Sequence, residues 1–232
     1  MKKRHSRPRR PLTPGGRGLL LVAFLFLLTF SARPAQPAAS PVSSPSVSLL
    51  SKIHKAYTSS PSFTATFVQI YAPAGFAPTS PETGRLTLQA PDQIRFDYDG
   101  PDGKVFTFDG KAARQYVAAD RQMVVRTLTP EDRARLPLLF FESPESIGGR
   151  FDVVAAPASD DVHDLTLTPK KPAALKSLVL TVTEAGEVKR LIVTDSSGNR
   201  TTFTFTQRRA GAKSPASDFA LVPPDGTKIV AD

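Results

Sequence analysis

The chain has 232 residues with a formal net charge of +9, no cysteine and no tryptophan. Eight of its 30 basic residues fall within the first 33 positions, where there is no acid, leaving 22 basic against 21 acidic residues in the rest. The apparent basicity therefore belongs to a leader. No nucleic-acid-binding stripe is expected in the folded part, and disulfides, thiolate metal sites and a lipid-modified N-terminal cysteine are excluded.

Residues 1–38 have the three-part build of a secretory signal. Basic residues reach to Arg17, apolar residues run from Leu19 to Phe30, and small residues follow. About a dozen apolar residues fall short of the roughly 20 that a membrane span needs. Cleavage is expected between Ser31 and Ser40, with an uncleaved anchor as the alternative. Arg9-Arg10 gives a weak hint of twin-arginine export. Residues 39–45 are rich in Pro, Ala and Ser and read as a flexible linker, which leaves 46–232 as one domain.

The first helical period covers residues 46–57. Val47, Leu50, Ile53 or His54, and Tyr57 recur at spacings of three and four, and Ser59-Ser60-Pro61 ends the run. The helix should lay one sticky side on a sheet. Strands follow at 63–69 (FTATFVQ), 84–90 and 93–99, with a loop rich in Pro and Gly at 72–81. Residues 104–108, 114–118 and 122–127 continue a meander, with Asp109-Gly110 as a hairpin signal.

The period then changes. Thr129-Pro130-Glu131-Asp132 offers a cap, a first-position proline and an acid, so a helix starts there. Its apolar side carries Leu136, Leu139 and Phe140, and Pro137 should kink or break it. Ser143-Pro144-Glu145 begins another short turn that Gly148-Gly149 should end. Strands resume at 151–155, 162–168, 175–183, 187–194 and 200–207. A last short strand is expected after Asp218, before Pro223-Pro224. About eleven strands result, and an antiparallel sheet of that size must curl or close.

Along these strands one face is repeatedly apolar: Leu86/Leu88, Ile94/Phe96/Tyr98, Phe106/Phe108 and Phe203/Phe205 alternate with polar residues. That face is either a closed core or a greasy concave surface holding a ligand.

Enzymatic chemistry is not expected. His5 lies in the leader, His54 on a helix and His163 beside an acidic turn. No Gly-x-Ser-x-Gly, HExxH or phosphate loop occurs. Glu142 and Glu145 read as helix-start acids rather than a catalytic pair. The basic pairs Lys170-Lys171 and Arg208-Arg209 read as solvated. No cofactor and no metal are expected.

The order of these parts resembles the LolA family, the periplasmic outer-membrane lipoprotein carriers. The resemblance rests on FTATFVQ (63–69), GRLTLQAPDQIRFDY (84–98), FTFDGKAARQYV (106–117) and DFALVPPDGTKI (218–229). It implies a mainly β fold, a half-open antiparallel barrel of about eleven strands whose concave face is roofed by short helices. It further implies a periplasmic monomer that takes lipoprotein acyl chains into a vacant trough under a detachable roof. Leu86, Leu88, Ile94, Phe96, Tyr98, Phe106, Phe108, Phe203 and Phe205 would line that trough, and Leu136, Leu139 and Phe140 would come from the roof. Partners would be an inner-membrane lipoprotein-releasing complex and an outer-membrane acceptor, with no nucleic acid.

One position departs from the family. A basic residue usually precedes the proline of the second strand turn and ties the roof down, whereas this chain has Ala90 before Pro91. The closing interaction is then absent or comes from elsewhere. A lipid or lipoprotein sensor on the same fold is one alternative, and an envelope hydrolase is another.

Overall fold

A computed structural model describes residues 44–157 and 161–231. The signal segment, 1–38, and most of the linker, 39–43, lie outside the described residues.

The first helix, α1 (Ser44–Thr58), starts two residues before the expected Ser46. Its buried stripe is Leu49, Leu50, Ile53 and Tyr57. Val47, expected on that stripe, is 42% exposed, because the apolar row descends from Leu50 and Leu49 rather than from Val47.

Six strands follow: β1 (Ser62–Ala72), β2 (Glu82–Gln89), β3 (Gln93–Tyr98), β4 (Lys104–Phe108), β5 (Ala112–Val117) and β6 (Gln122–Thr127). Each pairs antiparallel with the next. Then comes the helical interruption. The helix α2 (Pro130–Ala134) has the full capping box, in which the Thr129 hydroxyl accepts from Asp132 N and the Asp132 carboxylate accepts from Thr129 N. Pro137 does break the run, and a separate 3-10 helix occupies Pro137–Phe141.

The next helix, α3 (Pro144–Arg150), passes through Gly148 and Gly149 instead of stopping at them. Both glycines have open space around them, and the run ends only when Phe151 turns into a strand.

The second half is another antiparallel meander: β7 (Phe151–Pro157), β8 (Val162–Pro169), β9 (Leu175–Thr183), β10 (Val188–Asp195) and β11 (Arg200–Gly211). It joins the first half through β11, which pairs with β1. The expected strand after Asp218 is instead a helical turn, α4 (Ser217–Ala220). Arg95, on the outward side of β3, donates through Nη1 to the Asp218 carbonyl at 2.8 Å, and Phe219 is fully buried there. The final strand, β12 (Lys228–Ala231), lies beyond the prolines and pairs parallel with β6. Proline cannot donate to a ladder, so pairing waits until the chain has passed 223–224.

The twelve strands form one sheet in the order β12-β6-β5-β4-β3-β2-β1-β11-β10-β9-β8-β7. The sheet is open: β12 and β7 are its two margins, and they are not paired with each other. The mainly β, unclosed architecture with short helices is as expected, with twelve strands among the described residues rather than about eleven. One contiguous apolar cluster runs from α1 and the 3-10 helix across the inner face of both meanders.

Candidate functional site

Strand alternation builds the inner face. Leu86 pairs with Phe96 and Leu88 with Ile94 across β2 and β3; Ile94 pairs with Phe108 and Phe96 with Phe106 across β3 and β4. On the other side of β1, Phe67 faces Phe205, and Phe203 faces Leu191. Because the side-chain period is two, one correct register puts every one of these groups on the same face. Aromatic rings then meet at short range. The Phe67 ring lies 5.2 Å from Phe96 and 5.0 Å from Tyr98, both edge-on, and Phe203 stacks at 6.1 Å on Phe205. Edge-on and offset contacts suit the ring quadrupole.

Helices cover this face. Tyr57 of α1 reaches Phe63 at 5.5 Å and Phe140 at 4.8 Å, and Phe140 meets Phe205 edge-on at 6.2 Å. All five residues of the 3-10 helix are buried. Burial also pushes the Tyr57 hydroxyl up to about 12, against the lowering effect of Arg208 nearby. That hydroxyl accepts from Val188 N at 3.4 Å.

The site residues inferred from the sequence all gather in this one cluster. Leu86, Leu88, Ile94, Phe96, Phe108, Leu139, Phe140, Phe203 and Phe205 are buried; Tyr98, Phe106 and Leu136 are half-buried and pack against them. Among the described residues the inner face beneath the roof is packed and is not the vacant trough expected. A crevice lined by Tyr57, Phe63, Thr64, Ala65, Leu86, Leu88, Phe140, Val188, Phe205 and Arg208 keeps about 10 Å³ free, roughly the room for a single water. The reason is mechanical: α1 and the 3-10 helix press their own apolar side chains onto the inner face of the sheet.

Polar ties hold the cover down where Ala90 offers none. Arg133 of α2 donates to Asp92, in the turn after Pro91, at 3.0 Å, and its guanidinium lies 5.2 Å from the Phe108 ring centre. The cation of this tie stands on the roof and its acid on the strand turn. His54 Nδ1 donates to the Phe141 carbonyl at 3.0 Å, joining α1 to the 3-10 helix. Arg208 of β11 donates through Nη2 to the Ala56 carbonyl at 2.6 Å.

Lys52 binds Glu184 at 2.6 Å, and His163 binds the same carboxylate. Here the β9–β10 turn abuts α1. At Gly186, with φ +83°, a Cβ would stand 2.3 Å from the Lys52 carbonyl oxygen, so glycine serves both the turn and the close approach.

Glu142 and Glu145 each have local partners at the start of α3. Glu142 accepts from Arg150 and from the Ser146 hydroxyl. The Glu145 carboxyl is held low by its own backbone N–H and by the Ser143 hydroxyl, as a helix-start acid should be.

Sequence reasoning missed Arg208. It read as half of a solvated pair, yet its guanidinium lies over the Phe63 ring at 4.0 Å and the Tyr57 ring at 4.7 Å. Phe63 and Phe67 were readable as inward residues from the alternation in FTATFVQ. No local signal marks Arg208, because its position depends on an irregularity in β11.

Comparison with known proteins adds the following. A family model described as outer membrane lipoprotein carrier protein LolA matches residues 58–222. The outer-membrane lipoprotein carrier protein of Pseudomonas syringae pv. syringae is 26% identical over 205 residues, covering 88% of this chain and 95% of that protein. Its namesake in Chromohalobacter salexigens is 26% identical over 211 residues, covering 90% and 98%. That of Xanthomonas oryzae pv. oryzae is 30% identical over 154 residues, covering 65% and 72%. A solved LolA superfamily structure from Nitrosomonas europaea superposes with a TM-score of 0.43 at 13% identity, over 75% of this chain and 96% of that one.

Proposed function

The chain belongs to the outer-membrane lipoprotein carrier (LolA) family, and on that premise we propose that it is a periplasmic carrier, without catalytic activity, that shelters lipoprotein acyl chains and conveys them from the inner to the outer membrane. The observation that carries this reading is the helical cover seated on an apolar inner face of an unclosed sheet. Cover and sheet meet through rings and aliphatic groups, so hydrocarbon tails can replace one by the other.

The energetics favour such an exchange. Each methylene hidden from water is worth about 0.8 kcal/mol, so long tails bring tens of kcal/mol of exposure cost that the carrier must offset. A permanently empty pocket would hold them too tightly for release. Here the same inner face is already covered. Loading exchanges the contacts of Leu139, Phe140 and Tyr57 for contacts with tails, and only the difference appears as affinity. The cargo would be handed over by an inner-membrane releasing complex and passed to an outer-membrane acceptor, with the carrier acting as a monomer. The ties made by Arg133 and Arg208 supply the fastening that Ala90 leaves out, which favours a carrier over a sensor on the same fold.

The test is loading and transfer. A purified triacylated lipoprotein, diluted from detergent in the presence of the protein, should elute as a soluble complex of one protein and one cargo. It should then pass to outer-membrane vesicles. Cargo that precipitates equally with and without the protein would overturn the reading. Cargo that loads but never transfers would turn it toward the sensor.

A further inference from the structure

We propose that Arg208 recognises the carbonyl at the root of the bound tails, so that the protein reads acyl chains rather than hydrocarbon alone. This rests on the carrier reading and names a polar contact within it.

The argument begins with the backbone. Along β11, Phe203 and Phe205 point inward, and strict alternation would send residue 207 inward next. The ladder with β1 slips at this point. Thr66 pairs with Thr206 but Thr64 with Arg209, leaving Gln207 and Arg208 opposite Ala65 alone. That is a β-bulge, two residues against one. Gln207 adopts φ +53°, a left-handed conformation unfavourable for a side-chain-bearing residue. The result is an exchange of faces: Gln207 is exposed, and Arg208 lines the crevice instead. Backbone strain of this kind persists only where the surrounding structure holds it, and it gathers at functional positions.

What the bulge delivers is the one charged side chain among the residues lining that crevice. Its guanidinium is set over Phe63 on the sheet and Tyr57 on α1. Nη2 is engaged by the Ala56 carbonyl and the Tyr57 hydroxyl lies close to the guanidinium, while Nε is buried and has no hydrogen-bond acceptor among the described residues. A buried donor without an acceptor is destabilising and calls for a partner.

The cargo has the matching need. An acyl chain ends by definition in a carbonyl, an acceptor that cannot be drawn to the edge of an apolar hollow without a donor. A guanidinium held against the Phe63 ring of the sheet offers donors in one plane at that edge. The tails then lie along the inner face beside Leu86, Leu88 and Phe205, and their first carbonyl meets Arg208. A role confined to fastening α1 through Ala56 explains one of the guanidinium nitrogens but not the orphaned Nε.

Two synthetic probes test this. One is a cysteine lipopeptide carrying two ester-linked palmitoyl tails. The other is its counterpart with two ether-linked pentadecyl tails, which has the same hydrocarbon but no tail carbonyls. The readout is the ratio of their dissociation constants for the purified protein. The wild type should prefer the ester probe by about tenfold, the effect of one hydrogen bond to a charged donor.

Arg208→Met, which keeps an unbranched apolar stem, should bring the ratio to about one, and Arg208→Lys should keep part of the preference. A wild-type ratio near one would overturn the inference while leaving the carrier reading intact, since both probes still bind. Binding of neither probe would overturn the carrier reading and the inference with it. Arg208→Met holding the wild-type ratio, with both affinities shifted alike, would reduce Arg208 to a helix fastening and also overturn the inference. Should that variant not fold, the wild-type ratio and Arg208→Lys decide.

Discussion

Phe67 on β1 lies directly across from Gly84 on β2, and its ring covers the space where a side chain would stand. A Cβ at Gly84 would sit 2.8 Å from the ring and 2.1 Å from the Asp97 carbonyl oxygen. The ring in turn anchors Phe96, Tyr98 and Phe203. Gly84→Ala should therefore destabilise the protein by about 3 kcal/mol, the upper part of the overpacking range. Thermal unfolding followed by circular dichroism should show a midpoint lower by about 6–12 °C. An unchanged midpoint would mean that the two strands are not in this register.

The Arg133–Asp92 pair predicts a separation between stability and opening. It is partly exposed, with side chains 36% and 26% accessible, so Asp92→Ala should cost only about 0.2–1 kcal/mol. It joins the cover to a strand turn, however, so its loss should let the cover lift more often. Uptake of a fluorescent apolar dye should rise in the variant and, to a smaller extent, in wild type at high salt. Equal uptake at all salt concentrations would leave the pair without a role in closure.

Acid should act through Glu184. Its carboxyl is lowered from the usual 4.5 to about 2, first by its hydrogen bond to Lys52 and then by that to His163. A carboxyl depressed in the folded state contributes stability above its unfolded value, and that contribution is lost as pH falls through the folded one. The window is therefore about pH 4.5 down to about 2. Glu184→Gln should show a lower melting midpoint than wild type at pH 6, and the gap should close by pH 2. A gap constant across that range would show that the cluster does not titrate with folding.

The cover itself can be probed by truncation. Phe140 is 1% exposed and sits between Tyr57 and Phe205. Phe140→Ala should cost about 3–5 kcal/mol if the contact behaves as core. A displaceable cover predicts in addition that the still-folded variant binds apolar dye and self-associates, as measured by dye fluorescence and light scattering. Loss of stability without either effect would make the segment ordinary core.

Much of the fold was legible because strand and helix periods are local. Ile94, Phe96 and Tyr98 announce a two-faced strand within six residues, and Thr129 to Asp132 announce a helix start within four. The twelve proposed lining residues fall in one cluster for the same reason: alternation decides faces before it decides partners. The closed state of the site was not legible. Whether Tyr57 and Phe140 rest on the sheet or stand clear of it depends on contacts across more than a hundred residues. The tie from Arg133 to Asp92 and the placement of Arg208 likewise depend on tertiary geometry, the latter on a slip in pairing at Gln207. The last strand was misplaced because Asp218 to Leu221 reads as extended, whereas burial of Phe219 against the outer face curls it into a turn.

The unpaired margins have a mechanical meaning. A seamless cylinder has a girth set by its strand number and stagger, and widening it would break backbone pairs. Here Phe151–Pro157 and Lys228–Ala231 can spread apart while every ladder between neighbouring strands stays whole. The sheet can thus widen and narrow along its open side without unzipping any strand.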